Sequence, residues 1–352
     1  MLPYLLLLVC VYTITLFGRR YGSPMLGRLA LLVTTVAIIL FAGLRDFSVG
    51  TDTLNYKRWF DNYYDFFSVF GIETDPLFSV LIFLSKSLSD SFSLFLVLTS
   101  AVAVVPYVLA IFRMVARYEV GIYLFITLGA YTFIFNGQRQ AIAMAITFWA
   151  VRFILSKKFF PYAISVVFAS FFHFTALVAL PLYYIASAKL RLSRVFSILG
   201  VSIILGALVN SYLGPLFQLV DPRFASYAIS GEGGGAVMVA FLMVQAMILI
   251  SLRRIIRYDK SKYNALLNIY LVSLVPALVS TVASLNPSGV LRLHLYFSNM
   301  SIILWPMILE QVGKRERGFF AIIFVFITLL FFIITTTSYS DLTPYMINME
   351  SN

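Results

Sequence analysis

Asn136-Gly137-Gln138-Arg139-Gln140 is a short polar interruption between two apolar stretches, residues 120–135 and 141–155. Each flank reads as a membrane-grade helix. A guanidinium between two such helices is costly unless it faces water, protein or an anionic ligand. On a continuous helix Asn136, Arg139, Gln140, Ala143 and Thr147 form one stripe, because three- and four-residue steps return to the same face. The stripe is either the wall of a polar cavity inside a bundle, or Arg139 snorkels to a headgroup or pairs with a buried carboxylate. The stretch alone leaves both readings open.

The rest of the chain makes the setting a membrane. Of 352 residues, 61% are hydrophobic and 12% charged, with a mean hydropathy of +0.93. That composition excludes a soluble domain of this size. The apolar runs are continuous rather than alternating, which selects helices over a closed barrel. The fold class is therefore all-α, a polytopic integral membrane protein with residues 1–352 as a single multi-pass domain. The net charge of +11 lies mostly in short inter-helix loops, so it reports topology rather than nucleic-acid binding. Cys10 is the lone cysteine, so no intramolecular disulfide or thiolate metal cluster is expected. Residues 1–17 lack a basic leader and a small-residue cleavage site, and read as an uncleaved first span.

Basic loops set the orientation. Arg19, Arg20 and Arg28 follow the first span, which places that loop in the cytoplasm and the N-terminus outside. Residues 29–43 cross outward, and 44–75 form a first external loop containing an amphipathic helix. Later basic clusters are Arg113 with Arg117, Lys157 with Lys158, 189–194, 253–262 and 314–317. All are cytoplasmic if two conditions hold. The short segment 77–88, which carries Lys86, is re-entrant or interfacial, and 159–186 goes up and back with a turn near His173. Each leg of that hairpin has roughly 14 residues and rises about 20 Å, less than a hydrocarbon core of roughly 30 Å. The alternative is one long tilted helix. Further spans fall near 195–213, 236–252, 265–285, 290–309 and 319–336, for about twelve crossings. The second external loop, 214–235, ends in Gly231-Glu232-Gly233-Gly234-Gly235 and reads as mobile.

With this topology the unusual polar residues collect on the external face. They are Arg45, Asp46 and Asp52 in the first loop, Arg139, His173, and Arg292 with His294. Arg292, Tyr296 and Asn299 share a helical stripe, with His294 about 200° from Arg292. Planar guanidinium groups suit a phosphate or pyrophosphate, which they bind bidentately while remaining charged. His173 and Asp52 have acid–base capacity. Each also has a plainer role. Asp52 precedes an amphipathic run with Tyr56, Phe60, Tyr63 and Phe67 on one side, and can be an N-cap. His173, between Phe172 and Phe174, can be a neutral hydrogen-bonded turn residue. The aromatic run 59–67 reads as an interfacial belt more than a sugar platform, and Arg152 as a cytoplasmic snorkel. No metal-ligand spacing is present.

These residues carry a resemblance. Gly43-Leu44-Arg45, then Val49-Gly50-Thr51-Asp52-Thr53 with Asn55-Tyr56, resembles the N-terminal signature of the EpsG family of Wzy-like polysaccharide polymerases. Asn136-Gly137-Gln138-Arg139-Gln140 resembles its second signature. Ala169-Ser170-Phe171-Phe172-His173-Phe174-Thr175-Ala176 resembles its third, usually written with Leu before the Phe-His and Ser before the Ala. Pro344-Tyr345 is similar to the family's end.

The resemblance implies a glycosyltransferase of the GT-C type in the bacterial cytoplasmic (inner) membrane, with its active site facing the periplasm or outside. Donor and acceptor would be oligosaccharide repeats linked to undecaprenyl pyrophosphate, joined into O-antigen, capsule or exopolysaccharide. The other partners implied are the bilayer, a chain-length regulator and a flippase, with no cofactor, metal or nucleotide sugar. In that scheme Arg45, Arg139 and Arg292 bind pyrophosphate and His173 or Asp52 takes the acceptor proton. Tyr56, Asn136, Gln140 and Tyr296 are candidate sugar contacts. The alternatives are an O-antigen ligase, or a flippase or transporter for the same lipid-linked sugars. A transporter usually carries midplane charges and internal repeats, which this chain lacks.

Overall fold

The computed structural model describes residues 1–21, 23–62, 75–189, 192–208, 235–286, 288–339 and 341–348. Its contacts divide the chain into two compact units, residues 1–178 with 312–352, and residues 179–311. Helices α1 (Leu2–Tyr21), α2 (Pro24–Gly43), α3 (Thr53–Asp61), α4 (Pro76–Leu88), α5 (Phe92–Met114), α6 (Tyr118–Thr127), α7 (Gln138–Leu155) and α8 (Phe159–Ser170) belong to the first unit. Then come α9 (Leu182–Ala186), α10 (Leu192–Leu208), α11 (Ala236–Leu252), α12 (Lys260–Val272), α13 (Leu274–Val282), α14 (Leu295–Ser298) and α15 (Ser301–Gln311) in the second. Helix α16 (Lys314–Ser338) returns to the first. Among the described residues, five helices are long and apolar enough to cross a membrane: α1, α2, α5, α12 with α13, and α16. Large apolar side chains remain bare on them, such as Met25 at 80% and Phe319 at 73% exposure, as a surface solvated by lipid requires.

The first unit has two chemically distinct ends. At one, Glu119 is wholly buried at the start of α6 and pairs with Arg19 Nε at 2.6 Å and Arg117 Nε at 3.3 Å. Arg113 and Arg152 are neighbours there too, at the ends of α5 and α7. At the other end the tail lies against the α2–α3 loop. Asp46 N donates to Met346 O and Asn348 N to Leu44 O, each at 2.9 Å, forming an antiparallel bridge between Arg45 and Ile347. Helix α7 spans the distance between the ends, at about 1.5 Å per residue.

Several expected elements are interrupted. Residues 120–135 are not one helix: α6 stops at Thr127, and a 3-10 turn, Thr132–Phe135, follows. Gly129, at φ +90°, supplies the left-handed conformation that ends the helix. Asn136 and Gly137 lie before α7, so the stripe of Asn136 with Arg139, Gln140, Ala143 and Thr147 keeps its helical members and loses Asn136. Residues 159–186 break at Phe171–His173, between α8 and a 3-10 turn, Phe174–Ala179, which removes the single long helix as an alternative.

In the second unit, residues 290–309 divide into a 3-10 turn, Val290–His294, and helices α14 and α15. The stripe expected for Arg292, Tyr296 and Asn299 is therefore not helical throughout. Within that unit Tyr263 OH donates to Leu249 O at 2.7 Å and Tyr270 OH to Leu242 O at 3.1 Å, tying α12 to α11. Asn268 Nδ2 donates to Ala188 O at 2.6 Å, holding the end of the α9 segment. Most of the expected loop 214–235, and residues 63–74 of the first loop, with the aromatic run beyond Asn62, lie outside the described residues.

Candidate active site

The three sequence signatures meet at the tail end of the first unit. Gly50 adopts φ +97° and lies against the second signature, where a Cβ would come within 2.8 Å of both Asn136 Oδ1 and Phe135 O. The turn therefore requires glycine. Asn136 Oδ1 accepts from Thr51 N at 2.8 Å, and Asn136 O accepts from Tyr56 OH at 3.3 Å. Tyr56 OH in turn accepts from Gln138 N at 3.0 Å. Tyr56 and Asn136, candidates for sugar contact, are both buried and join the two signatures. Gln140 is also buried.

Arg45 is wholly buried. Its Nη1 donates to Ala42 O, Nη2 lies 3.4 Å from Phe135 O and 3.5 Å from Thr53 Oγ1, and its guanidinium sits 4.8 Å above the Phe135 ring. Burial lowers its pKa to about 10. The structure places Arg45, expected as a pyrophosphate contact, inside the protein, with its guanidinium against backbone carbonyls and an aromatic ring.

Arg139 and His173 are each 24% exposed and meet on one carboxylate that sequence reading passed over, Asp75, itself 16% exposed. Asp75 Oδ2 lies 3.1 Å from Arg139 Nη1 and 3.0 Å from His173 Nδ1. Its Oδ1 accepts from Phe174 N at 3.3 Å. Burial pushes the Asp75 carboxyl up, but the His173 hydrogen bond and charge, the Arg139 charge and the Phe174 N–H together hold it below the usual carboxylate range. The loop around His173 is fixed by Leu77 N donating to Phe171 O at 2.9 Å and His173 N to Ala169 O at 3.1 Å. Trp59, on α3, lies beneath the Arg139 guanidinium at 5.0 Å. This cluster offers a fixed cation, a positioned imidazole and an aromatic face at a partly open surface.

The other candidates are placed differently. Asp52 occupies the N-cap position of α3, and its backbone O accepts from Tyr56 N at 3.2 Å, but its carboxylate makes no cap bond. Arg292 lies in the second unit, half-buried, with Nη2 3.5 Å from Ser288 Oγ. Tyr296 and His294 are buried there, and His294 Nδ1 lies 2.6 Å from Leu291 O. Among the described residues no three His, Cys, Asp or Glu side chains group as a metal site.

Lipid-exposed helices around a polar cluster at one end define a multi-pass helical membrane protein. The model of the EpsG family matches residues 28–347, and the chain belongs to that family. No curated protein and no solved structure matches it.

Proposed function

We propose that this chain is a polysaccharide polymerase that joins oligosaccharide repeats carried on undecaprenyl pyrophosphate, at the extracytoplasmic face of a bacterial cytoplasmic membrane. The observation that carries the reading is the meeting of Arg139 and His173 on Asp75, beside the interlocked first and second signatures. Family membership supports the reaction class. The charge pattern supports the orientation, since Arg19, Arg113, Arg117 and Arg152 lie at the end of the first unit opposite the cluster, and arginine-rich ends stay in the cytoplasm.

In this reading the growing chain is the donor. Arg139 stabilises charge that builds on the departing pyrophosphate, and a guanidinium does so with two parallel hydrogen bonds. His173 accepts the proton of the acceptor sugar hydroxyl. The half-buried Arg292 is proposed as a phosphate contact within its own unit, and Asp52 as a second titratable group on the first loop. A diphosphate is a good leaving group, so charge stabilisation and positioning carry more of the rate than acid catalysis.

The test is polymerisation by the purified chain in vesicles, with a lipid-linked repeat, no nucleotide sugar and a chelator. A ladder of lengthened products supports the reading. A single transfer onto lipid A core, or translocation of unlengthened repeats, rejects it in favour of a ligase or a transporter.

A further inference from the structure

Asp75 stands immediately before Pro76, where an aspartate ordinarily caps a helix. Its backbone O does accept from Phe78 N at 3.0 Å and Ser79 N at 3.1 Å. The carboxylate, however, makes no cap bond. Both oxygens turn the other way, Oδ1 to Phe174 N, and Oδ2 to His173 Nδ1 and Arg139 Nη1. An ionised carboxylate can only accept hydrogen bonds, so the proton between Oδ2 and the ring belongs to Nδ1. In the neutral imidazole Nε2 then keeps its lone pair.

We propose that Asp75 is a positioning residue, which fixes His173 in the Nδ1–H tautomer with Nε2 as the base, and holds Arg139 until a diphosphate takes it. The catalytic half of this inference rests on the polymerase reading, whereas the tautomer rests on geometry alone. One oxygen serves both the guanidinium and the imidazole, so a carrier that draws Arg139 away leaves the carboxylate wholly to the imidazole. Carrier binding and readiness of the base are thereby linked through a single atom. In the step itself, the acceptor O–H bond breaks and its proton passes to Nε2. That oxygen forms a bond to the donor anomeric carbon. The bond from this carbon to the diphosphate oxygen breaks, and its electron pair leaves on the diphosphate.

The chain has 2 histidines, His173 and His294, so isotope-labelled histidine in the full-length protein gives two imidazole signals, and His294→Gln assigns them. Wild-type His173 is expected to show the Nδ1–H pattern. Asp75→Asn shifts it toward Nε2–H, because an amide can donate to the ring nitrogen, and Asp75→Glu restores the original pattern. With the lipid-linked repeat, Asp75→Asn lowers kcat by about 100-fold, the scale of one general base, while KM does not rise, since the diphosphate no longer displaces a carboxylate from Arg139. An unchanged tautomer in Asp75→Asn overturns the proposal, and so does a switched tautomer with unchanged kcat. A tautomer that switches in Asp75→Asn, together with a wild-type protein that makes no polymer from any lipid-linked repeat, defeats the polymerase reading and leaves Asp75 as the residue that sets the His173 tautomer.

Discussion

Arg139 and Arg45 have the same side chain and opposite fates. Arg139 keeps 24% exposure and a carboxylate partner that a stronger anion can replace. A lysine at that position keeps the charge and loses the planar two-point grip. Arg139→Lys is therefore expected to reach the membrane in normal amount and to make polymer at least about 10²-fold more slowly, the cost of a misplaced charge-stabilising donor. A product-length assay alongside quantified protein checks it. Asp75 supplies a pH dependence. Its folded-state pKa lies below the ordinary 3.8, so its contribution to stability is complete above that value and is lost as pH falls through the lower folded value. Thermal unfolding between neutral pH and pH about 3 should show a loss in the wild type that Asp75→Asn lacks. Gly50→Ala places a Cβ against two oxygens at a positive φ and is expected to cost about 1–3 kcal/mol, read as a lowered Tm.

At the scale of elements, hydropathy read some boundaries well and others badly, for identifiable reasons. Residues 236–252 were legible because an unbroken apolar run has one way to satisfy its backbone in lipid. The break at His173 was legible from charge, since keeping every basic cluster in the cytoplasm requires 159–186 to turn back on itself although neither arm spans a bilayer alone. The break after Thr127 was carried by Gly129, which apolar neighbours disguised as an ordinary helical residue. The three pieces between Val290 and Gln311 have no comparable marker in their sequence. Asp75 was invisible as a site residue because its partners lie 64 and 98 positions away, while its neighbour Pro76 offers a sufficient local explanation. The burial of Arg45 was hidden for a related cause: sequence shows a charge beside a loop, and tertiary packing decides whether water reaches it. One element contact gives a sharp expectation. Glu119, wholly buried, joins the end of α1 to the start of α6. Glu119→Ala leaves two arginines facing each other and should destabilise by about 3 kcal/mol, the low end for a broken buried pair because the arginines are partly solvated. Unfolding in detergent would register the loss.

For the molecule as a whole, the first unit is assembled from both extremes of the chain. Tyr4 OH donates to Leu342 O at 2.8 Å, across 338 positions, and Tyr345 stacks on Phe41 at 4.2 Å. Gly50 N also donates to Asp341 O at 2.8 Å, so the tail supports the glycine turn that holds Asn136. Truncation before Asp341 is expected to lower Tm and to reduce polymer formation more than Tyr345→Ala, which removes one ring and one hydrogen bond. Thermal stability and product assays on the two variants separate the effects.

That dependence sets a timetable for biogenesis. Everything from α16 onward leaves the ribosome after the rest of the described chain, so the loop bearing Gly50 must wait through the insertion of every preceding segment before its final support arrives. A nascent or prematurely terminated copy thus has the signatures in contact but the glycine turn without its backing from the tail, and it should be open to proteases at the α2–α3 connection until synthesis is done.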